Sequence, residues 1–279
     1  MIHNISPKTY SVEYFNHKPE AEDIIIMFNG ENVVCHLNGN EATLPKYSEF
    51  PNTADRTFVY LFSIDDQRYF LAEPLTGSQL ELPPGYEFNE FGIFRDIGPR
   101  YISFAIVTAQ HLNQWYKDRV YCGKCGAKTT LTETERSCIC PKCRHLEYPK
   151  LSPCIIVAVT HGEFLLLTRY KNRPYKRYAL IAGFVEIGES LEDAVCREVF
   201  EETGVKVKNI KYYKSQPWGF TSTLLMGFFC QLDGDPTLTI DEDELSEAVW
   251  LQREAVPPAI SDIALTSEMM EVFRLGQMG

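Results

Sequence analysis

Apolar and polar positions alternate only in short runs over the first hundred residues, and Gly, Asn, Asp or Pro ends each run. From Asp23 to Leu37, DIIIMFNGENVVCHL sets two β-branched runs on either side of Asn29-Gly30, which predicts a hairpin. A second hairpin is predicted from Phe58 to Leu71, where Asp65 and Asp66 separate VYLFSI from RYFL. Residues 74 to 100 carry Pro74, Gly77, Pro83, Pro84, Gly85, Gly98 and Pro99, so continuous helix or strand is not expected there. Ile102 to Lys117 is mixed: an apolar start, ISFAIV, precedes AQHLNQWYK, a short helix candidate. These signals predict a β-rich N-terminal domain over residues 1–119, with no internal repeat.

Further on, Cys154 to Val159 and Phe164 to Thr168 read as apolar strands joined by His161-Gly162. The pattern then changes period. Ser190 is a candidate N-cap with Asp193 three positions on, and Gly204 suits the position past a helix end, so a helix of about 13 residues is expected between them. On that helix Leu191, Ala194 and Val195 share an arc with Glu198, Glu201 and Glu202 one or two turns later. One face therefore passes from apolar to acidic.

Composition narrows the classes. Hydrophobic residues make up 44% of the 279, enough for packed cores in about two domains. The net charge of -11 leaves no broad basic surface for nonspecific nucleic-acid binding. The opening MIHNISPKTYSVEY has no basic segment followed by an apolar run, and no stretch approaches the ~20 apolar residues of a membrane helix. The expectation is a cytoplasmic chain with no membrane partner. Nine cysteines without a secretion signal point to metal ligands and free thiols rather than disulfides.

Four of those cysteines are paired. Cys122 and Cys125 form CGKC, and Cys140 and Cys143 form CPKC, so each pair can set two thiolates on one tight turn. Gly123 and Gly126 would relieve that turn sterically. Four thiolates around Zn²⁺ leave no open position, so the site is read as structural, with ordinary buried or free thiols as the alternative. Cys138 lacks a partner at the two-residue interval and is left out, and Cys35, Cys154, Cys196 and Cys230 read as small core residues.

The acidic face asks for a counter-charge. Glu198, Glu201 and Glu202 would repel one another and crowd the negative end of the helix dipole. Mg²⁺ or Mn²⁺, bound by oxygen, would offset them and would bring a phosphate substrate along, while Arg197 can orient Glu189 or Glu201 by a bidentate contact. A solvated acidic helix end is the alternative.

Residues 183 to 205, GFVEIGESLEDAVCREVFEETGV, resemble the Nudix box at Gly183, Glu189, Arg197, Glu198, Val199, Glu201, Glu202, Gly204 and Val205. The resemblance implies a C-terminal α/β/α sandwich over 149–279 in which Glu198, Glu201 and Glu202 are metal ligands or the base network and Arg197 belongs to the catalytic set. SQPWGFTST, from Ser215, is similar to the SQPW motif of NADH pyrophosphatases, a subfamily that also carries a four-cysteine zinc ribbon, matched here by 120–148, and a Tyr-Pro pair, matched by Tyr148-Pro149. The overall class is thus α+β: a β-rich N-terminal domain, a zinc ribbon and a Nudix sandwich. Gly219 and Thr221 stand where the subfamily typically has proline, which predicts a more mobile loop.

By that resemblance the chain is a homodimeric, metal-dependent hydrolase that splits NADH or NAD into NMN(H) and AMP. Phe184 and Tyr148 are candidates to stack on the nicotinamide, with the tyrosine supplied by the dimer partner, and Gln216 and Trp218 could shape the same pocket; for each aromatic the alternative is core packing. Glu244 stands where the family places a further carboxylate ligand, with Glu247 as the alternative and a solvated acidic loop behind both. Substrate alternatives are NAD-capped RNA and another nucleoside diphosphate such as ADP-ribose, with the choice expected to lie in loops such as 171 to 178. A zinc-ribbon binding module with an inactive Nudix domain is the non-enzymatic reading.

Overall fold

The computed structural model describes residues 1–54, 56–72, 81–171 and 177–277. Pro74 and Gly77, and positions 172 to 176 of the 171 to 178 loop, lie outside the described residues. Among the described residues no helix is long and apolar enough to cross a membrane. The chain divides into two compact units, one of residues 2–150 with 219–221, the other of Met1 with 151–218 and 222–279.

The first unit is built on short strands. β1 (Tyr10–Ser11) and β2 (Ile24–Ile26) are edge strands of one sheet, and β3 (Phe28–Asn29), β4 (Asn32–Asn38) and β5 (Glu41–Thr43) run in sequence through another. The hairpin expected between residues 23 and 37 is present, with two amendments. Its loop is Gly30-Glu31, one residue later than Asn29-Gly30, because Asn29 pairs with Asn32 and Gly30 supplies the positive φ of 58°. Ile24–Ile26 also leaves the hairpin to pair in parallel with Tyr69–Leu71. The second hairpin joins β6 (Phe58–Ile64) to β7 (Gln67–Ala72) through Asp65-Asp66, as expected. β8 (Glu87–Glu90) completes the second sheet beside β4, inside the region where no continuous strand was expected.

Helix α1 (Arg100–Asp118) corrects the mixed reading of 102–117. All of ISFAIV is helical, and Ile102, Ser103, Phe104, Ala105, Ile106 and Val107 are each buried. A helix enclosed on all sides shows no amphipathic period, so the helix signal emerges only at AQHLNQWYK. The cysteine segment follows, with β9 (Thr130–Leu131), β10 (Cys138–Ile139) and β11 (Leu146–Glu147) in a small antiparallel sheet.

The second unit centres on β12 (Ser152–His161). β13 (Phe164–Tyr170) pairs with its end through a Gly162-Glu163 turn, again one residue later than expected. Where β13 diverges, β14 (Ile181–Phe184) takes over the same edge of β12, with Gly183 opposite Ile155. Helix α2 (Leu191–Thr203) follows, then β15 (Lys206–Trp218), β16 (Thr223–Asp233), β17 (Leu245–Gln252) and helix α3 (Leu265–Arg274). The sheet runs β15-β16-β12-β13-β17, with β16 parallel to β12.

Period-two alternation along β12 builds two cores. Cys154, Ile156 and Ala158 pack with Leu265, Met269, Met270 and Phe273 of α3, while Ile155, Val157 and Val159 pack with Ala194, Val195 and Val199 of α2. One helix on each face makes the α/β/α sandwich. A strand buried on both sides reads as a continuous apolar run, which is how PCIIVAV appears.

Gln216 fixes the approach of α3. It is fully buried on β15, its Nε2 donating to the Ile263 carbonyl at 2.7 Å and its Oε1 accepting from Leu265 N–H at 2.7 Å. Gln216→Leu keeps the volume but strands two backbone groups, and should cost about 2–4 kcal/mol in urea denaturation at pH 7. Unchanged stability with lost activity would assign Gln216 to substrate instead.

Candidate active site and thiolate centre

Packing first sets where the acidic side chains go. Ser190 caps α2, its Oγ accepting from Asp193 N–H at 3.1 Å, and Gly204 closes it with φ 75° and an N–H to the Phe200 carbonyl at 2.8 Å. With Ala194, Val195 and Val199 against the sheet, Glu198 is carried over β14, onto Gly183. A Cβ at Gly183 would stand 1.9 Å from the Glu198 carboxyl carbon, so only glycine leaves room for that carboxylate.

Arg197 gathers the rest. Its Nε and Nη2 donate to the two Glu189 oxygens at 2.7 and 2.8 Å, Nη2 also reaches the Phe184 carbonyl at 3.0 Å, and Nη1 donates to Glu198 at 2.7 Å and Glu201 at 3.0 Å. The guanidinium is thereby held fully protonated. Of the two partners anticipated for it, the fork grips Glu189, and Glu201 receives a single arm. Glu189 also accepts from Glu186 N–H at 3.1 Å, which closes the loop between β14 and α2.

The carboxylates differ in setting. Glu201 is the open one, its side chain 57% exposed, whereas that of Glu198 is 14% exposed and Glu202 is buried at 2%. Burial pushes the Glu198 carboxyl up; Arg197 opposes this, and the charges of Glu201 and Glu244 add to it. Glu244 therefore acts on Glu198 through space. Glu247, the alternative, is occupied elsewhere: Arg169 lies 2.8 Å from one of its oxygens, and Tyr178 O–H donates to the other at 3.2 Å. A capping loop that the sequence did not signal sets Glu244 in place. Thr239 N–H and Asp241 N–H donate to the Thr203 and Glu202 carbonyls at 3.0 and 3.1 Å, and Glu244 N–H returns to the Asp241 carbonyl at 3.2 Å.

The aromatic candidates are spread out. Phe184, next to Gly183, is 55% exposed, and Trp218 packs half-buried against the core under α3. Tyr148 is 53% exposed, its hydroxyl donating to Glu135 at 3.1 Å. Gly219 lies so close to Val107 that a Cβ would come 2.5 Å from its carbonyl oxygen, a contact no proline ring could enter. Close packing, rather than mobility, accounts for the departure from proline at that position.

Cys122, Cys125, Cys140 and Cys143 bring their sulfurs within 4.8 Å of one another. Cys122 and Cys143 sulfurs are 3.7 Å apart, and Cys125 and Cys140 sulfurs 3.5 Å. A tetrahedron with Zn–S bonds of about 2.3 Å has edges of about 3.8 Å, so the four thiols suit Zn²⁺. The two turns are alike. Gly126 N–H donates to the Cys122 carbonyl and Arg144 N–H to the Cys140 carbonyl, both at 2.9 Å, and the two donors have φ of 72° and 61°. The glycine that the turn requires is thus Gly126 and not Gly123. Cys138 is buried on β10, outside the ligand group.

Residues 149–271 match the NUDIX domain model, and residues 119–148 match the NADH pyrophosphatase zinc ribbon domain. This chain carries a Nudix domain behind an NADH pyrophosphatase zinc ribbon. The NAD-capped RNA hydrolase NudC of Erwinia tasmaniensis is 42% identical over 146 residues, which cover 52% of this chain and 56% of that protein. The protein of the same name from Shigella flexneri is 43% identical over 147 residues, covering 52% and 56%. The chain spans about half the length of the curated relatives it matches. A crystal structure of a NUDIX hydrolase from Nitrosomonas europaea aligns over 56% of this chain and 91% of its own, with TM-score 0.49 and 21% identity.

The Arg197 fork, with Glu186 N–H, holds the Glu189 carboxyl down at about 2. A depressed carboxyl stabilises the fold above its ordinary range and loses that contribution as pH falls through its folded value, so stability should fall between pH ~4.5 and ~2 more steeply in the wild type than in Glu189→Gln. Equal slopes in acid titration of the denaturation midpoint would mean that Arg197 does not select the ionised form. For the ribbon, elemental analysis should find one zinc per chain, and Cys125→Ser should lose the metal and lower the thermal midpoint; retained zinc would exclude Cys125 as a ligand.

Proposed function

We propose that this protein is a metal-dependent hydrolase that cleaves the pyrophosphate of NADH or NAD, releasing NMN(H) and AMP. The observation that carries the reading is the Glu198 carboxylate, seated where Gly183 leaves space, raised by burial and flanked by the charges of Glu201 and Glu244. A single guanidinium serves Glu189, Glu198 and Glu201, so the cluster remains net negative and its donors are all hard oxygens. That donor set suits Mg²⁺ or Mn²⁺, which Glu198, Glu201, Glu202 and Glu244 would hold. When bound, such an ion lowers the pKa of a coordinated water and offsets the charge of the diphosphate.

The chain's own residues supply the remaining work. Arg197 keeps Glu189 and the β14 end in register with α2, which fixes where Glu198 presents its oxygens. One of Glu198, Glu201 and Glu202 would take the proton of the attacking water. Phe184 and, from the second subunit of a homodimer, Tyr148 offer open aromatic faces to the nicotinamide. Gln216 and Trp218 act through the segment before α3 and the core beneath it.

A second substrate is favoured by the relatives, which are named NAD-capped RNA hydrolases. The linkage cut would be the same diphosphate, with an RNA chain continuing from the adenosine. The test is kcat/KM with Mg²⁺ or Mn²⁺ on NADH, NAD, ADP-ribose and NAD-capped RNA. Glu201→Gln and Gly183→Ala should each lower turnover by more than the ~10–100-fold typical of outer-shell changes, with zinc content and fold retained. A wild-type protein without metal-dependent turnover on all four would leave the binding-module reading.

A further inference from the structure

The lysines of β15 do not follow strand alternation. Lys206, Lys208, Lys211 and Lys214 are exposed, but their spacing of two, three and three residues would put Lys211 on the opposite side of a regular strand from Lys206, Lys208 and Lys214. Two β-bulges cancel the mismatch. The register slips once between Lys208 and Lys211, where Asn209 has φ 53°, and again between Tyr212 and Lys214. Lys206 then lies opposite Asp233, Lys208 opposite Gln231, Lys211 opposite Phe229 and Lys214 opposite Gly227, every second residue of β16. All four lysines stand on one face.

It is the face that α3 shares, since Gln216 continues the row and binds the backbone before α3. Beyond α3 the row is open. Lys208 pairs with Asp233 at 2.8 Å and Lys214 with Glu268 at 2.5 Å, whereas no described carboxylate pairs with Lys206 or Lys211. Phe229 and Tyr213, 5.3 Å apart edge to face, lie beside Lys211 and Lys214, and both pack partly buried against the core under α3. β15 is an edge strand, and lysine on an edge discourages strand addition, but that role needs no common face and no bulges.

We propose that this lysine row is the docking strip for the single-stranded RNA that follows the cap, an inference that rests on the capped-RNA reading of the active site. On a chain of net charge -11 a phosphate polymer is repelled in general, so a local cationic row decides where it can lie. Successive lysines are about 7 Å apart along the strand, two residues of rise, comparable with the phosphate repeat of an extended single strand. A row of cations at that spacing tracks such a backbone without reading its sequence.

The test is the double variant Lys206→Glu/Lys211→Glu, with Lys206→Gln/Lys211→Gln as a milder companion should the first misfold. Fluorescence anisotropy with a 5′-monophosphate single-stranded RNA should show affinity at ~50 mM salt falling about tenfold or more. For the neutral variant the log–log salt slope should shrink by about 1.4, the share of two phosphate contacts. Turnover of NAD-capped RNA should drop in parallel, and kcat/KM for free NADH should stay within about twofold. Unchanged RNA affinity and unchanged capped-RNA turnover would overturn the strip, as would a change confined to sedimentation, which would mark the row as a contact with a second copy. If the wild type turned over neither NADH nor capped RNA while the lysines still governed RNA affinity, the hydrolase reading would fall and the strip would stand.

Discussion

The fork between Arg197 and Glu189 is the contact on which the site depends. It joins the middle of α2 to the loop before that helix, and the same guanidinium reaches the β14 backbone at Phe184. Three pieces of chain that no apolar surface could align so finely are locked by directional, charge-assisted bonds. Lysine could not substitute, because an ammonium offers a point charge and no planar pair of donors. The geometry also explains Gly183. Once Arg197 draws the helix down onto β14, the Glu198 carboxylate occupies the volume a side chain would need.

This arrangement rests in turn on β12. Its alternate residues face α2 and α3, so the sheet is covered on both sides and cannot shift toward one helix without opening a void under the other. The rigid layer lets α2 bury Glu202 against the sheet side while leaving Glu201 open, a gradient of exposure across neighbouring carboxylates on one helix. The loop from Thr239 to Glu244 adds to it by giving N–H groups to the last α2 carbonyls, which removes exposed negative dipole ends from the neighbourhood of the glutamates and delivers Glu244.

Much of this was legible in the sequence where a local rule acted alone. The Ser190 cap, Gly204 and the intervening period gave α2 its limits, and the paired spacing of Cys122, Cys125, Cys140 and Cys143 gave their convergence. Legibility failed where tertiary burial overrode local pattern. ISFAIV is helical because it is enclosed, and enclosure leaves no periodic trace. The turns at Gly30 and Gly162 fell one residue late because the glycine is the first loop residue and the preceding Asn29 or His161 still pairs across the ladder. Arg144 occupies a left-handed position that its residue type does not announce, since it is set by symmetry with Gly126 across the thiolate centre. The capping loop before Glu244 depends on contacts between distant segments and has no local signature.

The thiolate centre and the proposed carboxylate site also differ in what they allow. The thiolate centre is closed: four soft sulfurs sit at tetrahedral spacing on two matched turns, so nothing is left to exchange. The carboxylate site is already part-neutralised, and by a single arm of Arg197. Nη1 alone contacts Glu198 and Glu201, while Nε and Nη2 stay on Glu189 and the Phe184 carbonyl. As proposed ligands, Glu198 and Glu201 could therefore pass from the guanidinium to a divalent ion without loosening the fork that aligns them. On the proposed reading, such a site would hold its carboxylates in place until a stronger positive charge arrives, whereas a cluster without Arg197 would splay apart by its own repulsion.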